Sequence, residues 1–400
     1  MTHRLSFRIL CSFALFGGCH LFAAEPVTLW DPAVPLPKAA DIPLIEGTRF
    51  AAIKPYEFTK DGYRFLHGVG LVWHKNRLYA SFGHNQGGEN TGSEEARGRV
   101  SDDGGRTWGE PFTIDSGDEP ELAVSHGVFL SHDGRLRAFM GAYYGTMQRV
   151  HTRGYALDET SGRWDPIGVV VEGGFWPMQE PQRMNDGNWI MAGISARGDA
   201  PAGGVHPAAV AISRGDDFTT WDLVVIPVAE GLGGVWGEST VIVDGPRIVN
   251  IARYGDKALA LVATSDDYGR TWTPSQRSNL PMTTSKPYAG RLASGAPYLI
   301  CTTTADSGGR TPLTIALGRP GNATFSRVFV IRRSEHDGEV ESHPAAQLSY
   351  PYAIEYEGHL YVGYSNSGGG RGRVGEGRQL WNNNSAELAV IPLRSLETER

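Results

Sequence analysis

Cysteine is nearly absent from this chain, and so are blocks of basic charge, long apolar runs and signs of long helices. Its 400 residues hold three cysteines, and two of them, Cys11 and Cys19, fall in an N-terminal stretch that reads as a leader. There Met1-Thr2-His3-Arg4, with Arg8, precedes an apolar run from Ile9 to Phe16, and Ala23-Ala24 offers small residues before Glu25-Pro26. The run is too short to span a membrane and fits an export signal over residues 1–24. Phe16-Gly17-Gly18-Cys19 lacks the aliphatic residue that a lipid-attachment motif carries three places before its Cys. The expected destination is therefore secretion or the periplasm, without a membrane span. Cleavage leaves Cys301 alone, which excludes an intramolecular disulfide and assigns stability to packing. Lys and Arg total 37 against 44 Asp and Glu, a formal net charge of -7. A nucleic-acid partner is excluded on that balance, since phosphate neutralisation needs a basic face. A local cluster of arginines facing an anion remains compatible with it.

What the chain does contain is 52 Gly, 24 Pro, 10 Trp and 15 Tyr, a composition suited to short strands and tight turns. It also repeats. Ser101-Asp102-Asp103-Gly104-Gly105-Arg106-Thr107-Trp108 returns as Ser265-Asp266-Asp267-Tyr268-Gly269-Arg270-Thr271-Trp272, the pattern S-x-D-x-G-x-T-W. Weaker echoes end at Trp164 and Trp221, so the closing tryptophans 108, 164, 221 and 272 stand 56, 57 and 51 residues apart. Each motif reads as a hairpin turn in which Asp accepts backbone N–H groups, Gly takes positive φ and Trp packs between sheets. These aspartates are structural. Between the turns, stretches such as Arg77–Phe82, Arg135–Met140 and His359–Tyr364 alternate as strands do. A four-stranded antiparallel unit every fifty-odd residues is a propeller blade. His67, His126, Glu180, Glu238, Tyr288 and Tyr350 mark six first strands at steps of 59, 54, 58, 50 and 62 residues. The expected fold is an all-β, six-bladed propeller over residues 60–400 behind an extended lead-in, 25–59. Either the C-terminal strand from Ala386 to Leu393 or the early stretch Thr28–Phe50 completes a blade and closes the ring.

The S-x-D-x-G-x-T-W turn is the Asp-box, and over its mature length the chain resembles the sialidase (neuraminidase) superfamily. The Asp-box speaks for the fold far more than for a reaction. The resemblance extends to polar residues at the blade starts. Trp236-Gly237-Glu238-Ser239-Thr240, followed fifteen residues on by Arg253, is similar to the Glu-then-Arg arrangement of sialidases. The segment from Gly309 to Leu317, with Arg310, resembles the one that carries their third arginine, and Ser349-Tyr350-Pro351-Tyr352 the one that carries their tyrosine nucleophile. Tyr63-Arg64 matches the start of their Tyr-Arg-Ile-Pro motif. The resemblance implies that Arg64, Arg253 and Arg310 hold a sugar carboxylate, which guanidinium forks do better than lysine. It implies Glu238 as the base for a Tyr350 nucleophile, a neutral attacker that avoids repulsion from an anionic substrate. Arg291 competes for the third arginine, but the Pro-Leu-Thr-Ile that follows Arg310 fits better. Blade 1 departs from the pattern. It reads Arg64-Phe65-Leu66-His67-Gly68, and no aspartate supplies the family's acid/base; Glu89, in the Gly-rich loop Gly83–Glu89, is the nearest substitute.

The histidines point to a second chemistry. His67 and His126 occupy equivalent places in consecutive blades, each followed by Gly, with His84 placed in the loop between. Neutral imidazoles beside a Tyr and an Arg suit proton abstraction next to a uronate carboxylate, as in a polysaccharide lyase, or protonation of a glycosidic oxygen. Phe175-Trp176-Pro177-Met178-Gln179-Glu180 offers a sugar-stacking Trp176 or plain blade packing, with Glu180 reaching the mouth. Lys286, before Tyr288, adds a cation at the mouth or is an ordinary surface lysine. No histidine pair has zinc-ligand spacing and nothing supports calcium, so no metal or cofactor is expected. Three readings follow: a sialidase-like exo-glycosidase acting on an acidic oligosaccharide or polysaccharide, a uronate lyase, and a glycan-binding propeller without turnover. The chain is expected to be a monomer.

Overall fold

The computed structural model describes residues 26–196, 204–306, 308–322, 324–367 and 384–397. The leader at 1–24, with Cys11 and Cys19, lies outside the described residues. Six antiparallel sheets follow one another along the chain, and each packs on the next until blade 6 meets blade 1. Blade 1 runs Phe65–His74, Arg77–Asn85, Glu94–Ser101 and Phe112–Asp115 from the axis outward. The inner strands of the later blades start at Leu122, Phe175, Ser239, Tyr288 and Leu348. In blade 3 the inner strand is broken into Phe175–Pro177 and Gln182–Arg183, both paired with Trp189–Ser195. The six-bladed, four-stranded architecture read from the repeats is the architecture observed.

Local chemistry explains the strand ends. In blades 1, 2 and 6 the inner hairpin closes on two residues, Lys75-Asn76, Asp133-Gly134 and Glu357-Gly358, all with positive φ. That is the turn whose twist matches the flanking strands. The Asp-boxes join the third and fourth strands at the same end. Asp103 Oδ1 accepts the Thr107 amide at 2.9 Å, its Oδ2 accepts the Thr107 hydroxyl at 2.7 Å, and Ser101 Oγ takes the Gly105 amide at 2.8 Å. The same bonds recur around Asp267. Gly105 has φ +77°, and a Cβ there would lie 2.4 Å from Leu388 of blade 6, so the turn admits only glycine. With these hairpins closed tightly at one side, the starts of the inner strands lie at the opposite side, where the mouth is.

These bonds hold the Asp103 carboxyl well below its ordinary range, the Thr107 amide foremost. A group depressed on folding stabilises above its unfolded pKa, about 3.9, and loses that contribution as pH falls further. Asp103→Ala is therefore expected to lower the unfolding midpoint by a few degrees at pH 7, and the gap from wild type to narrow below pH 4. Thermal scans across pH check this.

The C-terminal strand closes the ring as expected, and it pairs with a strand that begins only at the end of the Thr28–Phe50 stretch. Arg49–Lys54 pairs with Ser385–Pro392 as the outermost strand of blade 6. The expected lead-in of 25–59 thus includes a blade strand, because the sheet needs a fourth edge that the C-terminus alone does not supply. Arg49 fastens the seam by donating to the Gly104 carbonyl at 2.7 Å. The preceding segment covers the outer edges of blades 4 and 5, with Val27 bridged to Ser278, Trp30 to Phe325 and Leu44 to Val330. Asn279 Oδ1 accepts both the Leu29 and Trp30 amides, and backbone bonds such as Asn279 N–H to the Val27 carbonyl cap the exposed strand edges. Among the described residues no helix is long and apolar enough to cross a membrane.

Candidate functional site

Three inner strands carry β-bulges, at His67/Val69, Val124/Gly127 and Ser349/Tyr352. A bulge re-aims the side chain beside it. Here it turns His67, His126 and Tyr350 toward one place. Gly68 makes this feasible, since at φ +63° a Cβ would sit 2.2 Å from the His126 ring. Tyr350 itself adopts φ +55°, an uncommon conformation for a side chain of that size. The His67 and Tyr350 ring centroids are 3.7 Å apart, and His126 stands 5.6 Å from each.

Glu238, just ahead of the blade 4 inner strand, accepts a short hydrogen bond from the Tyr350 hydroxyl. Arg253, at the end of the second strand, donates to its other oxygen at 2.8 Å. Burial pushes the Glu238 carboxyl up, but the charge of Arg253 and the bonds from Tyr350 and Arg253 outweigh it, and the group sits below its ordinary value. It is a carboxylate at neutral pH. Burial, then the Glu238 charge, drive the Tyr350 phenol well above its usual pKa despite Arg253 and Arg310. Tyr350 thus stays protonated until a base takes its proton, and that base touches it. The Arg310 guanidinium lies 5.9 Å from the Tyr350 ring and donates to the Thr284 carbonyl.

These groups line a cavity of about 200 Å³ together with His67, His126, Glu89 and Asn90, and Trp176, Met178, Ile194 and Trp236 give it an apolar wall. His67, Glu89, Arg253 and Arg310 also border a wider mouth of about 1110 Å³. Both histidines are neutral. Burial and then Lys286 bring His126 down to about 3, with Glu238 offsetting only part, while burial, His126 and the nearby cations hold His67 well below its ordinary value.

The structure brings together Tyr350, Glu238, His126, His67, Glu89, Arg253 and Arg310. Arg291 instead pairs with Asp244 on the surface, 3.1 Å away. Other expectations are corrected. Arg64 is exposed over the Phe58 ring and shares the wide mouth with Arg253 and Arg310, but it lies outside the small cavity. Glu180 lines neither cavity nor mouth; both its oxygens accept the Tyr288 hydroxyl, at 2.7 and 2.8 Å, since the broken blade 3 strand carries it inward. Lys286 is neither a surface lysine nor a mouth cation. It is 3% exposed, donates to the Pro351 carbonyl at 2.7 Å, and is brought down by burial to about 8. Its charge acts from beneath the Tyr350 turn. Trp176 does both jobs, lining the cavity while its indole N–H donates to the His126 carbonyl at 2.9 Å. His84 belongs to a strand, stacked on Tyr63 and bonded to Arg97, not to a mouth loop.

Sequence reasoning missed Glu94, Ser125 and Tyr143 behind His126. The only trace is Ser125 directly before His126 on a strand.

The sequence matches the BNR repeat-like domain over residues 76–362. No curated protein is significantly similar to it. Among solved structures, a Dyadobacter fermentans protein of unknown function superposes with TM-score 0.62 at 15% identity, covering 86% of this chain and 99% of that one. The Hadza microbial sialidase Hz136 gives TM-score 0.63 at 15% identity over 86% of this chain and 68% of that one. The intramolecular trans-sialidase from Ruminococcus gnavus, in complex with oseltamivir carboxylate, gives 0.59 at 12% identity over 92% and 99%. At such identities the likeness concerns the fold.

Proposed function

The chain belongs to the BNR repeat-like domain family, and from that premise we propose that it is an exported glycoside hydrolase that releases a carboxylate-bearing sugar from the end of a glycan. The observation that carries this reading is Tyr350 donating to Glu238, itself held by Arg253, on the wall of a small cavity. Arg253 and Arg310 bind the sugar carboxylate by charge-assisted hydrogen bonds. Tyr350 attacks the anomeric carbon as its proton passes to Glu238, and water later cleaves the glycosyl-tyrosine. A small cavity that opens into a wide mouth suits a chain end, with the remaining glycan outside. The leader-like residues 1–24 support export.

A second reading, elimination at a uronate, is favoured by the neutral His67 and His126 beside Tyr350, groups able to take a proton next to a carboxylate. One experiment separates them. Acidic glycans are incubated with the protein while free sugar and the ultraviolet absorbance of a new carbon–carbon double bond are followed together. Sugar release without absorbance is expected. Absorbance growing with each cleavage would replace hydrolysis by elimination, and binding without either product would leave a lectin.

A further inference from the structure

We propose that His126 is the acid and base of this reaction and that Ser125 and the buried Glu94 form the relay that supplies and retrieves its proton. The reaction in question is the hydrolysis proposed above; the relay itself is a matter of geometry. Glu94, on the third strand of blade 1, is 2% exposed. Its Oε1 accepts a short bond from Ser125 Oγ, and its Oε2 accepts the Tyr143 hydroxyl at 2.7 Å. Ser125 Oγ stands 3.1 Å from His126 Nδ1. Across the ring, His126 Nε2 is buried with no partner among the described residues, and the ring borders the cavity. Carboxyl, hydroxyl and imidazole thus run in line from the protein interior to the place where a leaving group would lie.

The hydroxyl has one proton to give, so its direction fixes the imidazole tautomer. When Glu94 is a carboxylate, Ser125 donates to it and must accept from Nδ1–H, which leaves Nε2 with a lone pair, a base. When Glu94 is protonated, it donates to Ser125, Ser125 donates to Nδ1, and Nε2 carries the proton, an acid. The ring changes role without becoming charged. Its surroundings require this, for Lys286 lies close enough to oppose an imidazolium, His67 and Tyr350 flank it as neutral groups, and Glu238 offsets only part. Burial meanwhile favours the protonated form of Glu94, with Glu89 adding to it and the Ser125 and Tyr143 bonds opposing.

In the first step the glycosidic C–O bond breaks as the oxygen of Tyr350 bonds to the anomeric carbon. The Tyr350 proton goes to Glu238. Nε2 gives its proton to the departing oxygen, Ser125 gives one to Nδ1, and Glu94 gives one to Ser125, ending as a carboxylate. In the second step Nε2 takes a proton from the attacking water, the relay returns one to Glu94, and Tyr350 recovers its own from Glu238. The relay fills the role left open by the missing blade 1 aspartate.

The test uses methyl and 4-nitrophenyl glycosides of N-acetylneuraminic and glucuronic acids with Glu94→Gln and Ser125→Ala. An alkyl alcohol needs its proton to leave; nitrophenolate does not. Both variants are expected to lower kcat/KM, which reports the first step alone, by about 100-fold or more on the methyl glycoside and by less than about 10-fold on the nitrophenyl glycoside. Equal losses on the two substrates, or none, would overturn the relay. The second readout is ¹⁵N NMR of histidine-labelled protein without substrate. The His126 proton is expected to move from Nε2 to Nδ1 as pH rises, without an imidazolium stage, and Ser125→Ala to abolish the change. A tautomer indifferent to pH and to Ser125→Ala refutes the relay even if wild type cleaves no glycoside, an outcome that would itself refute only the hydrolase reading.

Discussion

Tyr350→Phe is expected to reduce sugar release on the order of 10⁴-fold while leaving glycan binding within a few-fold of wild type. The substitution removes one oxygen and no shape. Phenylalanine keeps the ring that packs, tilted, against His67, and the φ of +55° is no harder for it than for tyrosine. What disappears is the hydroxyl that, among the described residues, donates to Glu238 at the cavity wall. Because burial and the Glu238 charge keep the phenol protonated, attack and proton transfer to Glu238 must coincide, and without the oxygen neither occurs. Arg253 and Arg310 remain to hold the carboxylate, so the loss should fall on kcat. Isothermal titration and single-turnover kinetics separate the two. Full activity in Tyr350→Phe would remove the nucleophile assignment, and a loss confined to KM would make Tyr350 a binding residue.

The ring was legible because its signals are local and repeated. An Asp-box needs Ser, Asp, Gly, Thr and Trp within eight residues, and the two-residue turns show themselves as Asp133-Gly134 and Glu357-Gly358. That Tyr350, Glu238, Arg253 and Arg310 come together was legible through resemblance, since each lies at or near the end of a strand beside the mouth. Depth along the axis was not. Glu180 and Lys286 sit at blade starts like Glu238 does, yet a broken strand and the Pro351 carbonyl draw them away from the mouth. Arg64 reaches the wide mouth but not the small cavity, a difference of depth as well. The relay behind His126 was invisible because Glu94, Ser125 and Tyr143 come from three strands in two blades, and only the bulge at Val124/Gly127 brings Ser125 and His126 into line. Bulges are set by register, which neither composition nor spacing reports.

Arg253→Met is expected to lose about 100-fold in kcat/KM, one charge-assisted contact, and also to reverse how stability depends on pH. In the wild type the Glu238 carboxyl lies below its ordinary value, so it stabilises the fold above its unfolded pKa, about 4.3, and stops doing so as pH falls through the folded one. Burial is the largest single influence on Glu238 and acts upward; Arg253 is the largest acting downward. Without Arg253 the upward influence prevails, and at neutral pH the fold holds a buried carboxylate without its ion pair, a defect worth roughly 3–5 kcal/mol. The variant should therefore be most destabilised near pH 7 and recover toward wild type as Glu238 protonates on acidification, while the acid limb of kcat/KM moves to higher pH. Adding Glu238→Gln should restore stability to Arg253→Met, because the charge that lacked a partner is gone, even though the double variant turns over nothing. A stability difference that ignores pH, or a double variant no more stable than the single one, would mean that Arg253 supports the fold through packing rather than through Glu238.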